Sequence, residues 1–288
     1  MKIGIIGGGS IGLLFAGYLA ERHDVTIYTR TEYQANEINK KGVTIEKQRT
    51  SKTYRVQAVP SSVSVREEDI VFFAVKQYIL EDVLLQTKDL EKVQSVCFLQ
   101  NGMSHINRIG DLKNHTILLG VVEHGALKVN ETTVIHTGVG LTKMGVFKGK
   151  NEQFDFSQSD FVIKYYEDWY EIVTSKLIAN AVINPLTAIF RVKNGELLQN
   201  HYFHNQMKAL FREVTSAIPS NIEKMWELVT TICENTAQNK SSMLRDIEEG
   251  RKTEIDAILG YVLNHGTKNN EELVITQFLY DSIKGLET

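Results

Sequence analysis

A run of glycines near the start of the chain restricts the fold more than any other feature. Gly7, Gly8, Gly9, Ser10, Ile11 and Gly12 match G-x-G-x-x-G. They follow an apolar segment, Lys2 to Ile6, that reads as a buried strand. They open a stretch, Ser10 to Arg22, with Ile11, Leu14, Phe15, Tyr18 and Leu19 at helical spacing. Strand, glycine turn and helix in that order suit the pyrophosphate of a dinucleotide. Gly7 permits the tight turn, Gly9 lets the backbone approach the phosphates, and Gly12 allows close packing of helix on strand. The helix N-terminus adds free N–H groups and a positive dipole end. A ligand-free glycine turn has the same letters, but the flanking strand and helix favour the dinucleotide.

Short apolar runs continue in alternation with helical segments: Val25–Tyr28, Val43–Ile45, Tyr54–Ala58, Ile70–Val75, Val96–Leu99 and Ile117–Val122. Such alternation predicts an α/β fold with a Rossmann-type, mostly parallel sheet. Thr133–Thr137, Leu141–Phe147 and Phe161–Tyr166 follow, joined by glycine-bearing turns, and are expected to extend that sheet in antiparallel fashion. Beyond Tyr166 the pattern is helical throughout. The expected domains are residues 1–166, a dinucleotide-binding Rossmann domain, and residues 167–288, an all-α domain. Within the second, Trp169 to Phe190 is one long helical pattern interrupted at Asn184-Pro185. Another begins near Thr253, with Ile255, Ile258, Leu259, Val262 and Leu263 on one face and Gly266 as its expected stop.

Two domains agree with 288 residues. The net charge of −3 and the lack of a polybasic run give no reason to expect nucleic acid or an anionic membrane as partner. No membrane span is expected, since the apolar runs look shorter than the roughly 18 residues one needs. Cys97 and Cys233 form no C-x-x-C, and Cys97 lies in an apolar run, so free thiols and a cytoplasmic location are expected. The eight histidines show no H-x-x-x-H or H-E-x-x-H spacing, so no metal site is expected.

Several polar residues stand where chemistry would need them. An NAD site places a carboxylate after the second strand, but here Ile27–Thr31 has none before Glu32. Arg30 would instead meet a 2′-phosphate, which favours NADPH; an exposed loop arginine is the alternative. Lys76 and Asn101 follow predicted strands, and such positions in an open parallel sheet face the ligand crevice or are surface loop. Lys176, Asn180 and Asn184 recur every four residues on the long apolar helix, which reads either as a functional stripe or as a solvated one.

At these residues the chain resembles a known family. Lys176–Ala188, followed by Asn194–Leu197, is similar to the signature of the ketopantoate reductases. Ser241–Asp246 and Thr253–Asp256 resemble that family's second signature, and Lys76, Asn101-Gly102-Met103 and His136 fall in the same order. The resemblance implies NADPH-dependent reduction of 2-dehydropantoate to (R)-pantoate, a step of pantothenate and coenzyme A biosynthesis. Lys176 matches the family's catalytic lysine and Glu254 its active-site carboxylate. Asn180, Asn184, Asn194 and Ser242 match substrate contacts; Arg30, Lys76 and Asn101 match cofactor-side residues. Val122-Glu123-His124-Gly125 departs from the family, many members having small hydroxyl residues there. A lysine ammonium at the substrate carbonyl would stabilise developing charge and donate the proton. The alternatives are a reductase of another branched 2-oxo acid, or a non-catalytic dinucleotide-binding sensor. Monomer and homodimer both remain open.

Overall fold

A computed structural model of the chain describes residues 1–48, 50–61, 64–65, 67–150, 154–156, 158–268 and 272–287. The first elements are β1 (Lys2–Ile6), α1 (Ser10–Leu19), β2 (Asp24–Thr29), α2 (Glu32–Lys41), β3 (Val43–Lys47), β4 (Thr50–Tyr54), β5 (Gln57–Pro60), β6 (Ile70–Phe73), α3 (Leu80–Gln86), β7 (Ser95–Phe98) and α4 (Ile106–Ile109). β8 (Thr116–Val122), β9 (Gly125–Lys128), β10 (Thr133–Gly138), β11 (Leu141–Lys148) and β12 (Val162–Tyr166) complete the strands. Helices α5 (Trp169–Phe190), α6 (Glu196–Gln199), α7 (His201–Ala217), α8 (Ile222–Asn235), α9 (Ser242–Glu248), α10 (Ile255–Lys268) and α11 (Val274–Leu286) follow. These form two compact units: Met1–Gln100 with Ile106–Ile172, and Asn101–His105 with Val173–Thr288.

The first unit holds an eight-stranded sheet in the order β12-β11-β8-β7-β6-β1-β2-β5. The six strands from β8 to β5 are mutually parallel. β11 then runs antiparallel to β8, and β12 parallel to β11. Parallel strands covered on both faces read as continuous apolar runs, which is why β6 (Ile-Val-Phe-Phe) and β7 are fully buried. On one face Phe15 of α1 packs on Phe72 and edge-on against Phe161; on the other Phe73 stacks on Phe98 at 4.7 Å.

One sequence expectation fails here. Thr133–Thr137 does not extend the main sheet. β10 belongs to a separate four-stranded sheet, β4-β3-β10-β9, in which it runs parallel to β3 and antiparallel to β9. The run Tyr54–Ala58 likewise divides. Tyr54 closes a hairpin on Val43, while Ala58 pairs with Ile27 of the main sheet. Alternation of apolar residues reports that a segment is a strand and leaves its partner open.

A buried polar chain links α1 to the second sheet. Gly140 N–H donates to His124 Nδ1 (3.1 Å), so the His124 proton sits on Nε2. His136 Nε2 then donates to the same Nδ1 (3.2 Å), and Tyr18 O–H donates to His136 Nδ1 (2.8 Å). Burial pushes the His124 pKa down to about 4, and the neighbouring His136 adds to the shift. The folded pKa lies below the ordinary value of 6.5, so protonation favours the unfolded chain. Stability tied to His124 is complete above about pH 6.5 and is lost as pH falls toward about 4. His124→Gln is therefore expected to lessen the fall in melting temperature across that window by the equivalent of about 2 kcal/mol. Parallel acid melting curves for parent and variant would refute this.

The second unit is helical, and its core holds Leu177, Ile178, Val182, Leu210, Val214, Val229, Leu259 and Ile283, all buried. α5 is long and apolar enough, by length and composition alone, to cross a membrane, contrary to the sequence reading, yet 78% of its most apolar stretch is buried in the protein. A core helix meets the same criterion. α10 also differs from expectation, running through Gly266 to Lys268. A glycine inside a helix costs about 1 kcal/mol and does not by itself end it.

Candidate functional site

The glycine turn has the geometry a dinucleotide needs. Gly7 has φ +115°, a region open to glycine, and a Cβ there would lie 2.9 Å from Val75 Cγ1. A Cβ on Gly12 would overlap Gly7 O, so α1 approaches the end of β1 as closely as backbones allow. A Cβ on Gly9 would meet nothing within 4 Å. Gly9 caps α1 with no side-chain hydrogen bond, leaving first-turn N–H groups for a ligand. Open space against bare amide donors is what a pyrophosphate requires, so these residues fit the group.

Arg30 follows β2 and is exposed. Thr29 Oγ1 donates to Thr31 O (2.9 Å), and Thr31 caps α2, so the backbone on both sides of Arg30 is held. Glu32, the first carboxylate, is already inside α2. Lys76 lies three residues past β6, half-buried, at the start of a 3₁₀ turn. Gln100, which the sequence reading passed over, donates from Nε2 to Phe73 O and Val75 O, both at 3.0 Å. It fixes the end of β6 on which Gly7 packs.

In the second unit α5 carries the polar stripe. Lys176 and Asn180 are half-buried and Asn184 is 7% exposed, while Leu177–Ala179 and Ala181–Ile183 are buried. A solvated stripe does not hold a buried asparagine, which favours the functional reading. Beyond Pro185, Thr187 Oγ1 donates to Ser241 Oγ (2.8 Å), and Ser241 in turn caps α9 by accepting from Leu244 N–H. That bond ties α5 to the helix whose first residue, exposed Ser242, resembles a substrate contact. Sequence reasoning chose Ser242 and missed Thr187 and Ser241, whose pairing spans 54 positions. Asn194 is placed otherwise. Its Nδ2 donates to Thr236 Oγ1 (2.8 Å) and its N–H to Asn239 O, so it holds the turn after α8, while its buried Oδ1 has no partner among the described residues.

Asn101 and Glu254 meet within this unit. Glu254, 8% exposed, precedes α10 and accepts from Asn101 Nδ2 at 2.9 Å. Gly102 follows with φ +79°, and a Cβ there would overlap Ala257 O, so the segment after β7 lies flat on the first turn of α10. Ile255 N–H is satisfied by Thr253 Oγ1 (3.1 Å), and Thr253 donates from N–H and Oγ1 to Glu287 Oε1 at 2.7 and 2.6 Å. Burial opposes ionisation of Glu287, yet the Thr253 hydrogen bonds and Lys284 hold its carboxyl below the ordinary carboxylate range. The start of α10 thus has support from Thr253 and Glu287 besides the Glu254 side chain.

A Rossmann unit with an open phosphate seat, joined in one chain to a helical unit with a lysine–asparagine stripe and a buried carboxylate, defines a dinucleotide-binding oxidoreductase. Comparison with known proteins narrows the class. The family models described as Ketopantoate reductase PanE/ApbA and Ketopantoate reductase PanE/ApbA C terminal match residues 3–149 and 168–287. The chain is 43% identical to the 2-dehydropantoate 2-reductase of Bacillus subtilis, across 100% of this chain and 98% of that one. It is 37% identical to the enzyme of the same name from Listeria monocytogenes, across 100% and 97%. A crystal structure of the probable Bacillus subtilis enzyme aligns with TM-score 0.90 at 42% identity over all of both chains. The chain belongs to the ketopantoate reductase family. A D-mandelate dehydrogenase solved with NADH and anilino(oxo)acetate has TM-score 0.88 at 21% identity and covers 100% of this chain and 98% of its own, a likeness of fold alone.

Proposed function

We propose that this chain reduces 2-dehydropantoate to (R)-pantoate with NADPH, in the cytoplasm, as a step toward pantothenate and coenzyme A. The observation that carries the reading is the stripe of Lys176, Asn180 and Asn184 on a helix whose residues from Leu177 to Ala188 are, Asn180 apart, all buried. Full-length identity to 2-dehydropantoate 2-reductases supports it. The nicotinamide supplies the hydride. Lys176 is the general acid that protonates the carbonyl oxygen, and its positive charge stabilises the oxyanion. Glu254, held by Asn101, is the carboxylate that keeps the lysine charged and oriented. Asn180, Asn184 and Ser242 hold the substrate's polar groups, while Asn194, engaged with Thr236 and Asn239, supports the turn after α8. Gly7 to Gly12 seat the pyrophosphate, Arg30 reads the 2′-phosphate, and Lys76 serves the cofactor side. NADPH oxidation followed by absorbance, with 2-dehydropantoate against a panel of branched 2-oxo acids, tests the substrate. Equal kcat/KM across the panel would remove 2-dehydropantoate as the assigned substrate.

Cofactor choice is a separate matter. Arg30→Ala is expected to weaken NADPH binding by about 1.5–3 kcal/mol, the range for hydrogen bonds to a charged group, and NADH binding much less. Equal losses would show that Arg30 does not read the 2′-phosphate.

A further inference from the structure

Gln34 stands in the first turn of α2, and its N–H donates to Thr31 Oγ1 (3.2 Å), the cap of that helix. Thr31-Glu32-Tyr33-Gln34 has the letters of a capping box, in which the glutamine side chain would return to the Thr31 N–H. Here it turns elsewhere. Buried to 5% exposure, its Nε2 donates to Gly8 O (2.8 Å) and Glu131 O (3.1 Å). The amide fills the space a Cβ on Gly8 would take, lying 2.5 Å from that position at Nε2. Gly8 therefore lacks a side chain to admit Gln34.

A peptide unit is planar and trans, so its C=O and N–H point in opposite directions. Holding Gly8 O toward Gln34 turns the Gly9 N–H the other way. That N–H donates to none of the described residues. A peptide between two glycines is also the easiest kind to rotate, since neither side has a Cβ to restrain it. Left alone, this unit would spend part of its time with a carbonyl oxygen facing the phosphates.

We propose that Gln34 is a positioning residue that locks the Gly8–Gly9 peptide with its N–H toward the dinucleotide pyrophosphate. The proposal rests on the cofactor reading above. Because the pyrophosphate is common to both dinucleotides, Gln34 acts on NADPH and NADH alike, unlike Arg30. The test measures Kd for each by quenching of protein fluorescence, with KM, kcat and melting temperature, in the parent, Gln34→Met and Gln34→Glu. Methionine keeps the length and removes the donor; glutamate also sets a negative oxygen against Gly8 O. Both Kd values are expected to rise by the same factor, roughly 10–100-fold for Gln34→Met and more for Gln34→Glu. KM for the cofactor should rise far more than kcat falls. If Gln34→Met does not fold, the same comparison on Gln34→Glu decides. Unchanged Kd values in a folded variant, or a loss confined to NADPH, would overturn the proposal. A parent protein that binds neither dinucleotide would overturn the cofactor reading, and this inference with it.

Discussion

Lys176→Ala is expected to lower kcat by roughly 10²–10⁴-fold, the usual scale for loss of a general acid, while NADPH affinity holds. The expectation follows from where the residue sits. Of the residues from Leu177 to Ala188 on α5, Asn180 alone is not buried, and it shares the stripe that Lys176 begins. A half-buried ammonium on such a helix loses hydration that a surface lysine keeps. Glu254→Gln separates charge from shape. A glutamine can still accept from Asn101 Nδ2, so the 2.9 Å contact survives and only the negative charge is lost. kcat/KM should fall substantially, and the apparent pKa of the acid on which activity depends should drop, because an anion nearby favours the charged lysine. Should Glu254→Gln cost only thermal stability, with kcat/KM and its pH profile intact, Glu254 would be a support of α10 and nothing more.

Two glycines of one turn are expected to fail in opposite ways. In Gly12→Ala the new methyl overlaps Gly7 O, and Gly7 is itself pressed on Ala74 and Val75, with would-be contacts of 2.9 to 3.1 Å. Gly7 O is backbone just past a strand end, and the methyl is bonded directly to the helix backbone, so neither yields cheaply. Overpacking of this kind costs about 3 kcal/mol or more, which for a unit of this size lowers the melting temperature by about 6–12 °C. In Gly9→Ala the methyl meets nothing within 4 Å, and φ of −80° suits alanine. That variant should melt close to the parent yet bind NADPH and NADH much more weakly, because the methyl stands where the phosphates would sit. Undiminished binding by Gly9→Ala would show that the open space is not the phosphate seat.

Local features were legible in the sequence. The glycine turn was, because its demands fall on six consecutive residues. The stripe on α5 was, because helical spacing alone aligns Lys176, Asn180 and Asn184. The second sheet was not. β4 reads Thr-Ser-Lys-Thr-Tyr, with only Tyr54 buried, so no apolar pattern marks it. β9 is a short strand without a buried residue. Gln34 was missed because its partners are backbone oxygens at positions 8 and 131, and carbonyls leave no trace in a sequence. Thr187 with Ser241, and His124 with His136, are likewise pairs whose meaning lies in a distance the fold creates. Thr31 and Gln34 do carry a local signal, that of a capping box, and it points to a different hydrogen bond from the one formed.

The link between Thr253 and Glu287 bears on how the chain matures. During synthesis residue 254 leaves the ribosome before residue 287, and until the latter emerges the Thr253 N–H and hydroxyl have water in place of the Glu287 carboxylate. A ribosome-held chain ending short of Glu287 would have every residue of the lysine stripe and Glu254 itself, yet would lack the anchor that sets where Glu254 stands. The start of α10 would then gain this anchor late, after the strands of the first unit had long been free to fold.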